Sequence, residues 1–328
     1  IMSAKFDTPL IPDRKPLQNL LPLAKPLSLC IDACDICNFK CDFCFHKYRQ
    51  SAGTALSREL FDKIVKDMED FEEPFKTVHL YNLGEPLINS NIADFTRALK
   101  DRHVAEITQI TTNGSLLTKQ MSEDLVAAGL DRITFSIYGL DDATYKKFSS
   151  AQISFNSLLD NIRYFYSVRG DCKVHVKITG DYFNEQQKKE FISLFKDMAD
   201  TYYIDNAVNL WPDLVTVKEQ DQEHMYGMLD TVENNRICSQ PFYQMVIHSD
   251  GTVSPCCTDY DKKLIVGDIR EKSLKEIWNG EQYQALRKCI LQDDLKEGML
   301  CRKCTFPSCG ASTDITPYRE ELLRKYGW

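Results

Sequence analysis

The sequence predicts a parallel α/β fold with a smaller cysteine-bearing region on its C-terminal side. Two observations carry this. Between residues 27 and 210, strand-like alternation and helix-like periodicity follow one another six times, the pattern of a parallel sheet with crossover helices. After residue 210 that rhythm stops, and an Asp250-Gly251 hairpin signal, a helix and returning cysteines replace it. The implied organisation is an N-terminal strap over 1–26, an α/β unit over 27–212 and a cysteine-bearing domain over 213–328.

Taken in order, residues 5–27 carry five prolines and little periodicity, and read as an extended strap. Leu27–Ile31 alternates like a strand and leads into a cysteine loop. Ser57 is an N-cap for a helix with Leu60, Phe61, Ile64, Val65, Met68 and Phe71 on one stripe. Lys76–Tyr81 is a strand and Asn89–Lys100 a helix. Val104–Thr111 is a strand, and Thr118–Ala128 a helix stopped by Gly129. Arg132–Ile137 is a strand and Ser154–Arg169 an amphipathic helix closed by Gly170. Val174–Thr179, Glu185–Ala199 and Tyr202–Leu210 complete the series as strand, helix and strand. Beyond it, Met245–Ser249 and Thr252–Ser254 flank the hairpin turn, and Ser273–Leu291 reads as one helix. Six units are too few for a closed eight-fold barrel.

Charge balance is 40 basic against 48 acidic residues, giving −8 with no basic block. That argues against nucleic acid as a partner, since such affinity rests on many phosphate contacts. No apolar run approaches the roughly 18 residues of a spanning helix, so no membrane partner is expected. The 13 cysteines are odd in number and clustered at metal-ligand spacing, which suggests a reducing, cytoplasmic compartment rather than a disulfide scaffold.

Cys37, Cys41 and Cys44 lie in Cys-Asn-Phe-Lys-Cys-Asp-Phe-Cys, a C-x3-C-x2-C spacing. Three close thiolates can hold three corners of a four-iron cluster and leave the fourth open, and an open metal position is where chemistry occurs. A structural zinc knuckle is the alternative, with Cys34 or His46 as the missing ligand.

This run, with the aromatic Phe43 just before the third cysteine, resembles the signature of the radical S-adenosylmethionine (radical SAM) enzymes. The resemblance implies a partial (β/α)6, TIM-like barrel. It also implies that the open iron binds S-adenosylmethionine, which the reduced cluster cleaves to methionine and a 5′-deoxyadenosyl radical. Asn82-Leu83-Gly84-Glu85-Pro86 resembles the family's Gly-Gly-Glu-Pro turn, with Leu83 where the first glycine is usual. Thr112-Asn113-Gly114 resembles the turn that ends the third strand, and Ser136 the cofactor-holding serine after the fourth. These imply cofactor contacts from Phe43, Gly84, Glu85, Asn113 and Ser136. The position of a frequent family arginine is Ser149 here, which leaves Lys177 as a candidate for the methionine carboxylate, or as an ordinary strand residue.

Cys238, Gly251 and Cys256 resemble the opening of the SPASM pattern, and Cys301-Arg-Lys-Cys304 its next pair. Cys309 arrives one residue early and nothing follows it, which resembles the truncated "twitch" form. By that resemblance Cys238, Cys256, Cys301 and Cys304 hold an auxiliary [4Fe–4S] cluster. A four-cysteine zinc ribbon is the alternative. Cys257 is open as a replacement ligand, a hydrogen donor or a packing thiol, and Cys309 is undecided. Tyr81, Tyr138, Trp211 and Tyr243 are candidates for the barrel mouth.

Members with one auxiliary cluster, of the butirosin aminocyclitol dehydrogenase kind, oxidise a secondary alcohol. The resemblance therefore implies oxidation or epimerisation of a sugar-like small molecule, with electrons from a one-electron donor such as flavodoxin or ferredoxin. Modification of a ribosomally made peptide is the second expectation. The short strap, which has no room for a leader-binding domain, weighs against it. A non-enzymatic iron–sulfur electron carrier is the third, and the cofactor-contact set at one rim argues against that.

Overall fold

The computed structural model describes residues 5–6, 15–49, 53–205, 237–309 and 313–328. The chain begins with β1 (Lys5–Phe6), α1 (Leu17–Leu20) and β2 (Ser28–Ile31). The repeating units are α2 (Arg58–Glu69), β3 (Thr77–His79), α3 (Ile92–Asp101), β4 (Thr108–Thr112) and α4 (Lys119–Ala127). They continue through β5 (Arg132–Ile137), α5 (Asp142–Ser149), α6 (Phe155–Val168), β6 (Lys173–Thr179), α7 (Glu185–Phe195) and β7 (Thr201–Asp205). The C-terminal part holds α8 (Gln240–Tyr243), β8 (Gln244–Ile247), β9 (Thr252–Ser254), β10 (Gly267–Asp268), α9 (Leu274–Asn279), α10 (Glu281–Leu291) and α11 (Arg319–Tyr326).

Strands β2 to β7 pair in parallel and in chain order, as six β/α units require. The helices begin where the side-chain chemistry says they should. Ser57, Thr118 and Ser154 each accept a hydrogen bond from a backbone N–H three residues on, satisfying an otherwise orphaned donor. Gly129 and Gly170 close α4 and α6 at positive φ, +82° and +55°, where a side chain would be strained.

One face of each strand packs under the helices. Val78, Leu80, Ile110, Ile133, Phe135, Val174, Val176 and Ile178 are buried in the main core. The alternate positions face the concave side and are polar, most of them half-buried, with Lys173 exposed and Ser136 buried. In register they form tiers across the sheet: His79, Gln109, Arg132 and Lys173, then Thr111, Thr134, His175 and Thr201, then Ser136, Lys177 and Tyr203. A closed barrel fills this space with branched apolar side chains. Here it is a polar lumen.

Three features differ from the sequence-based expectation. The strap is not merely extended: β1 adds a parallel strand beside β7, and α1 packs Leu17 into a second small core with α11. The helix expected over Ser273–Leu291 is two helices. Gly280 is extended between them (φ −69°, ψ 157°), and a Cβ there would stand 2.9 Å from the Glu276 carbonyl. Finally, the hairpin joins the sheet of the α/β unit, a pairing that the sequence does not indicate. β8 lies parallel to β2, and β9 and β10 continue antiparallel, so one ten-stranded sheet runs through both cysteine regions among the described residues. The expected boundary at 212, Trp211 and the end of the sixth expected strand lie outside the described residues.

Candidate active site and metal centres

The three-cysteine loop leaves the C-terminal end of β2 and is held from two sides. On one side the carbonyls at the end of α5 accept its backbone: Lys40 N–H donates to Ser149 O (2.9 Å) and Asp42 N–H to Phe148 O (2.9 Å). Helix α5 was not legible in the sequence, yet it is what holds this loop. On the other side sits the Gly84-Glu85 turn. Glu85 N–H donates to Ile36 O at 2.8 Å, and a Cβ on Gly84 would fall 2.2 Å from Cys34 O and 2.5 Å from Ile36 O. Only glycine permits that approach.

Cys37, Cys41 and Cys44 converge there. Burial pushes the Cys37 thiol up to about 12, and the neighbouring Glu85 and Cys44 add to it. Burial, then Cys44 and Cys37, push Cys41 well above the ordinary range. Cys44 is raised by burial too. Burial is the largest cause for all three, and a bound cation would invert that balance. Phe43 stacks on Tyr138 (5.8 Å between centroids) and packs on Tyr182 (5.5 Å), walling the loop from solvent. Tyr138 itself senses all three thiols and hydrogen-bonds Ser136.

The two zinc-knuckle candidates are engaged elsewhere. His46 Nε2 is 2.6 Å from Leu83 O, and the Cys34 thiol bonds the Ile36 backbone. Among the described residues, no three His, Cys, Asp or Glu side chains are grouped to hold a single metal ion.

Glu85 is buried, and its carboxylate accepts from Leu87 N–H (3.1 Å), the Thr112 hydroxyl (2.6 Å) and Asn113 N–H (2.8 Å). Burial lifts its pKa to about 7 against the pull of those donors. Glu85 is therefore a brace between the second and third motif turns. Asn113 extends the brace, donating to Asn38 Oδ1 (2.9 Å) inside the cysteine loop. Ser136 is buried at the lumen's upper tier, in register with Lys177. Tyr81 also faces the lumen, near Lys177 and bonded to Thr111. Tyr243 does not line the mouth; it packs on the second core with α8 and α11.

The second cysteine set is brought together as expected. Burial raises the Cys238 thiol, which senses Cys256, Cys304 and Cys301. Burial and Cys256 push Cys301 to about 12, and Cys304 is raised to about 11. Cys256 alone is lowered, because Cys257 and Thr258 donate to its sulfur, the Thr258 hydroxyl from 3.1 Å. Cys257 hydrogen-bonds Cys256 and Gln244 and lies near Cys30. The Cys309 side chain lies outside the described residues.

Family comparison agrees with this arrangement. Residues 32–198 match the radical SAM superfamily model. The chain belongs to the radical SAM superfamily. Residues 238–305 match a second model, the SPASM iron–sulfur cluster-binding domain. This radical SAM chain is 25% identical over 311 residues to the tungsten-containing aldehyde ferredoxin oxidoreductase cofactor-modifying protein of Pyrococcus furiosus, 83% of each chain. It is 30% identical over 180 residues to the GTP 3′,8-cyclase of Staphylococcus haemolyticus, 53% of this chain and 52% of that one. Similar folds include BtrN in complex with AdoMet and 2-DOIA (TM-score 0.58, 17% identity, 85% of this chain and 92% of that one). Streptococcus suis SuiB bound to S-adenosylmethionine is another (TM-score 0.66, 19% identity, 89% and 74%). The cofactors are thus S-adenosylmethionine with its [4Fe–4S] cluster and an auxiliary iron–sulfur cluster. The two thiol sets fit them in donor type and number. No described helix is long and apolar enough to cross a membrane.

The buried Asp32, His248 and Ser254 escaped the sequence reading. The available signal is positional: Asp32 directly follows a strand, five residues before Cys37, and His248 stands three residues before the Gly251 of the SPASM pattern.

Proposed function

We propose that this radical SAM enzyme removes a hydrogen atom from a carbon of a small, polar, sugar-like molecule, oxidising it or inverting the centre. The observation that carries the reading is the lumen. Three tiers of polar, mostly half-buried side chains, with Arg132, Lys177, His79 and His175 among them, open below the three-cysteine rim. Such a surface suits a solute that presents many hydrogen-bonding groups and is ill-suited to apolar side chains. The relatives aligned at 25–30% identity are named for a GTP cyclisation and a cofactor modification, and neither name refers to a peptide substrate.

In this reading Cys37, Cys41 and Cys44 hold the first cluster, which with S-adenosylmethionine supplies a carbon-centred radical on reduction. Phe43 and Tyr138 exclude water from it. Gly84, Glu85 and Asn113 fix the shape of the shelf. Ser136 and Lys177 face the cofactor from adjacent strands, Lys177 offering its ammonium to the methionine carboxylate. Cys238, Cys256, Cys301 and Cys304 would hold the auxiliary cluster, which when bound would supply an acceptor for the surplus electron of an oxidation. A flavodoxin- or ferredoxin-like protein supplies the electron that starts each turnover.

The test is a substrate screen by isotope. The anaerobic, reduced enzyme is incubated with S-adenosylmethionine and cell extract from deuterated medium, fractionated into small molecules and peptides. Deuterium entering 5′-deoxyadenosine from the small-molecule fraction supports the reading. Transfer only from the peptide fraction would replace it with peptide modification.

A further inference from the structure

A buried hydrogen-bonded chain joins the two cysteine regions. Asp32, His248 and Ser254 have 0% exposure. Asp32 Oδ1 accepts from Leu83 N–H at 2.6 Å, immediately before the Gly84 turn. Its Oδ2 is 3.1 Å from His248 Nδ1. On the other edge of the ring, Nε2 is 2.9 Å from Ser254 Oγ. The Ser254 hydroxyl also reaches the backbone carbonyl of Cys256, at 3.3 Å. The chain thus begins at the turn that braces the three-cysteine loop and ends on the backbone of a residue in the second cysteine set.

The Asp–His–Ser order resembles a nucleophile relay, but such a serine must meet a substrate. This one is sealed, so nucleophilic catalysis is excluded. Nor is the chain needed to pack the hairpin: Met245, Ile247 and Val253 do that from the outward face. The hairpin tip has separate polar ties, from Ser249 Oγ to Thr54 Oγ1 (2.7 Å) and from Lys262 to both Asp250 (2.6 Å) and Asp35 (3.4 Å). A buried polar chain costs desolvation energy that apolar residues would not. Its distinguishing property is where it ends.

We propose that His248 is a positioning residue for the auxiliary cluster: through Ser254 it orients the Cys256 backbone relative to the three-cysteine loop, and so sets that cluster's reduction potential. The proposal rests on Cys256 being a cluster ligand. Partners just behind a ligand orient it, and hydrogen bonds and dipoles around a cluster tune its potential. Without His248, the Ser254 hydroxyl has no fixed partner on the barrel side, and the Cys256 carbonyl dipole is free to turn.

The experiment uses the full chain, reconstituted anaerobically with both clusters. Iron and sulfide are measured, and the auxiliary cluster is titrated against potential and followed by its paramagnetic resonance signal. The variants are His248→Phe, Ser254→Ala and, as a control at the hairpin tip, Thr54→Val. The expected result is retention of the three-cysteine cluster and its deoxyadenosine formation in all three. The auxiliary signal and midpoint potential shift in the same direction in His248→Phe and Ser254→Ala, and stay at wild type in Thr54→Val. Selective loss of the auxiliary cluster in Ser254→Ala also supports the proposal. Wild-type potentials in Ser254→Ala, or loss of both clusters together, would overturn it. Should His248→Phe fail to fold, Ser254→Ala decides, because it removes one hydroxyl and little volume. Failure of the underlying assignment is separable: unaltered protein in which Cys256→Ala leaves the auxiliary cluster intact would show that Cys256 is no ligand.

Discussion

Replacing Gly84 with alanine is a sharp test of how the cysteine loop is held. The added methyl would stand 2.2 Å from Cys34 O, 2.5 Å from Ile36 O and 2.8 Å from the Asp35 carbonyl carbon. All three are backbone atoms, so no side chain can swing away. The turn and the loop must separate by roughly 1 Å to reach ordinary contact, which also lengthens the 2.8 Å bond from Glu85 N–H to Ile36 O past usefulness. Overpacking against backbone costs about 1–3 kcal/mol, and the lost hydrogen bond about 1 kcal/mol. The sum, about 2–4 kcal/mol, corresponds to a fall in Tm of roughly 3–6 °C for a chain of this size. The same displacement moves Cys37, the next residue after Ile36, off its cluster corner. Iron content after anaerobic reconstitution should therefore drop from about eight to about four per chain, with only the auxiliary signal remaining. Gly170→Ala is the control: it is strained by a φ of +55° but distant from either cysteine set, so it should cost about 1 kcal/mol and no iron. Normal iron content and Tm in Gly84→Ala would refute the close-approach argument.

Other outcomes follow from the same geometry. Double replacement of Cys301 and Cys304 by alanine should leave about four irons and intact deoxyadenosine formation, checked by iron analysis and chromatography; loss of both clusters would contradict the separate ligand sets. Lys177→Met should raise the Kd for S-adenosylmethionine about tenfold, as for one charge-assisted bond, by equilibrium dialysis with the cluster intact; unchanged affinity would remove Lys177 from the cofactor site. Glu85 has a folded pKa raised from 4.5 to about 7, so the folded state holds an extra proton between those values and its contribution to stability falls as pH rises through that window. Apo-protein Tm should then decline from pH 5 to pH 7.5, and Glu85→Gln, though less stable throughout, should flatten that slope; equal slopes would contradict the assignment.

Much of this architecture was legible because its signals are local. Ser57, Thr118 and Ser154 announce their helices, and a two-residue period marks each strand. The cysteine spacing of both sets is a local pattern too, and the structure brings Cys37, Cys41 and Cys44 together, and likewise Cys238, Cys256, Cys301 and Cys304. What escaped was short or non-local. Helix α5 has eight residues with only Tyr145 and Ser149 buried, too few to write a stripe. The pairing of β8 with β2 and the Asp32–His248 contact join positions 216 residues apart, so neither leaves a mark in any window of sequence. The sequence marks Gly84 as a cofactor contact, and its close approach to the backbone of the cysteine loop, 48 to 50 positions away in the chain, has no local signal. The break at Gly280 is hard to read because helix-like apolar spacing occurs on both sides of it, although the buried stripe moves to a different face after it.

Cys37, Cys41 and Cys44 are proposed to hold a site-open cluster at which S-adenosylmethionine is cleaved reductively. The most direct measurement is 5′-deoxyadenosine formed by anaerobically reconstituted protein given dithionite and S-adenosylmethionine, compared with Cys44→Ala. Product is expected from the wild-type chain and none from Cys44→Ala, whose auxiliary cluster stays intact. A wild-type protein that holds its full iron yet forms no more deoxyadenosine than Cys44→Ala would contradict it.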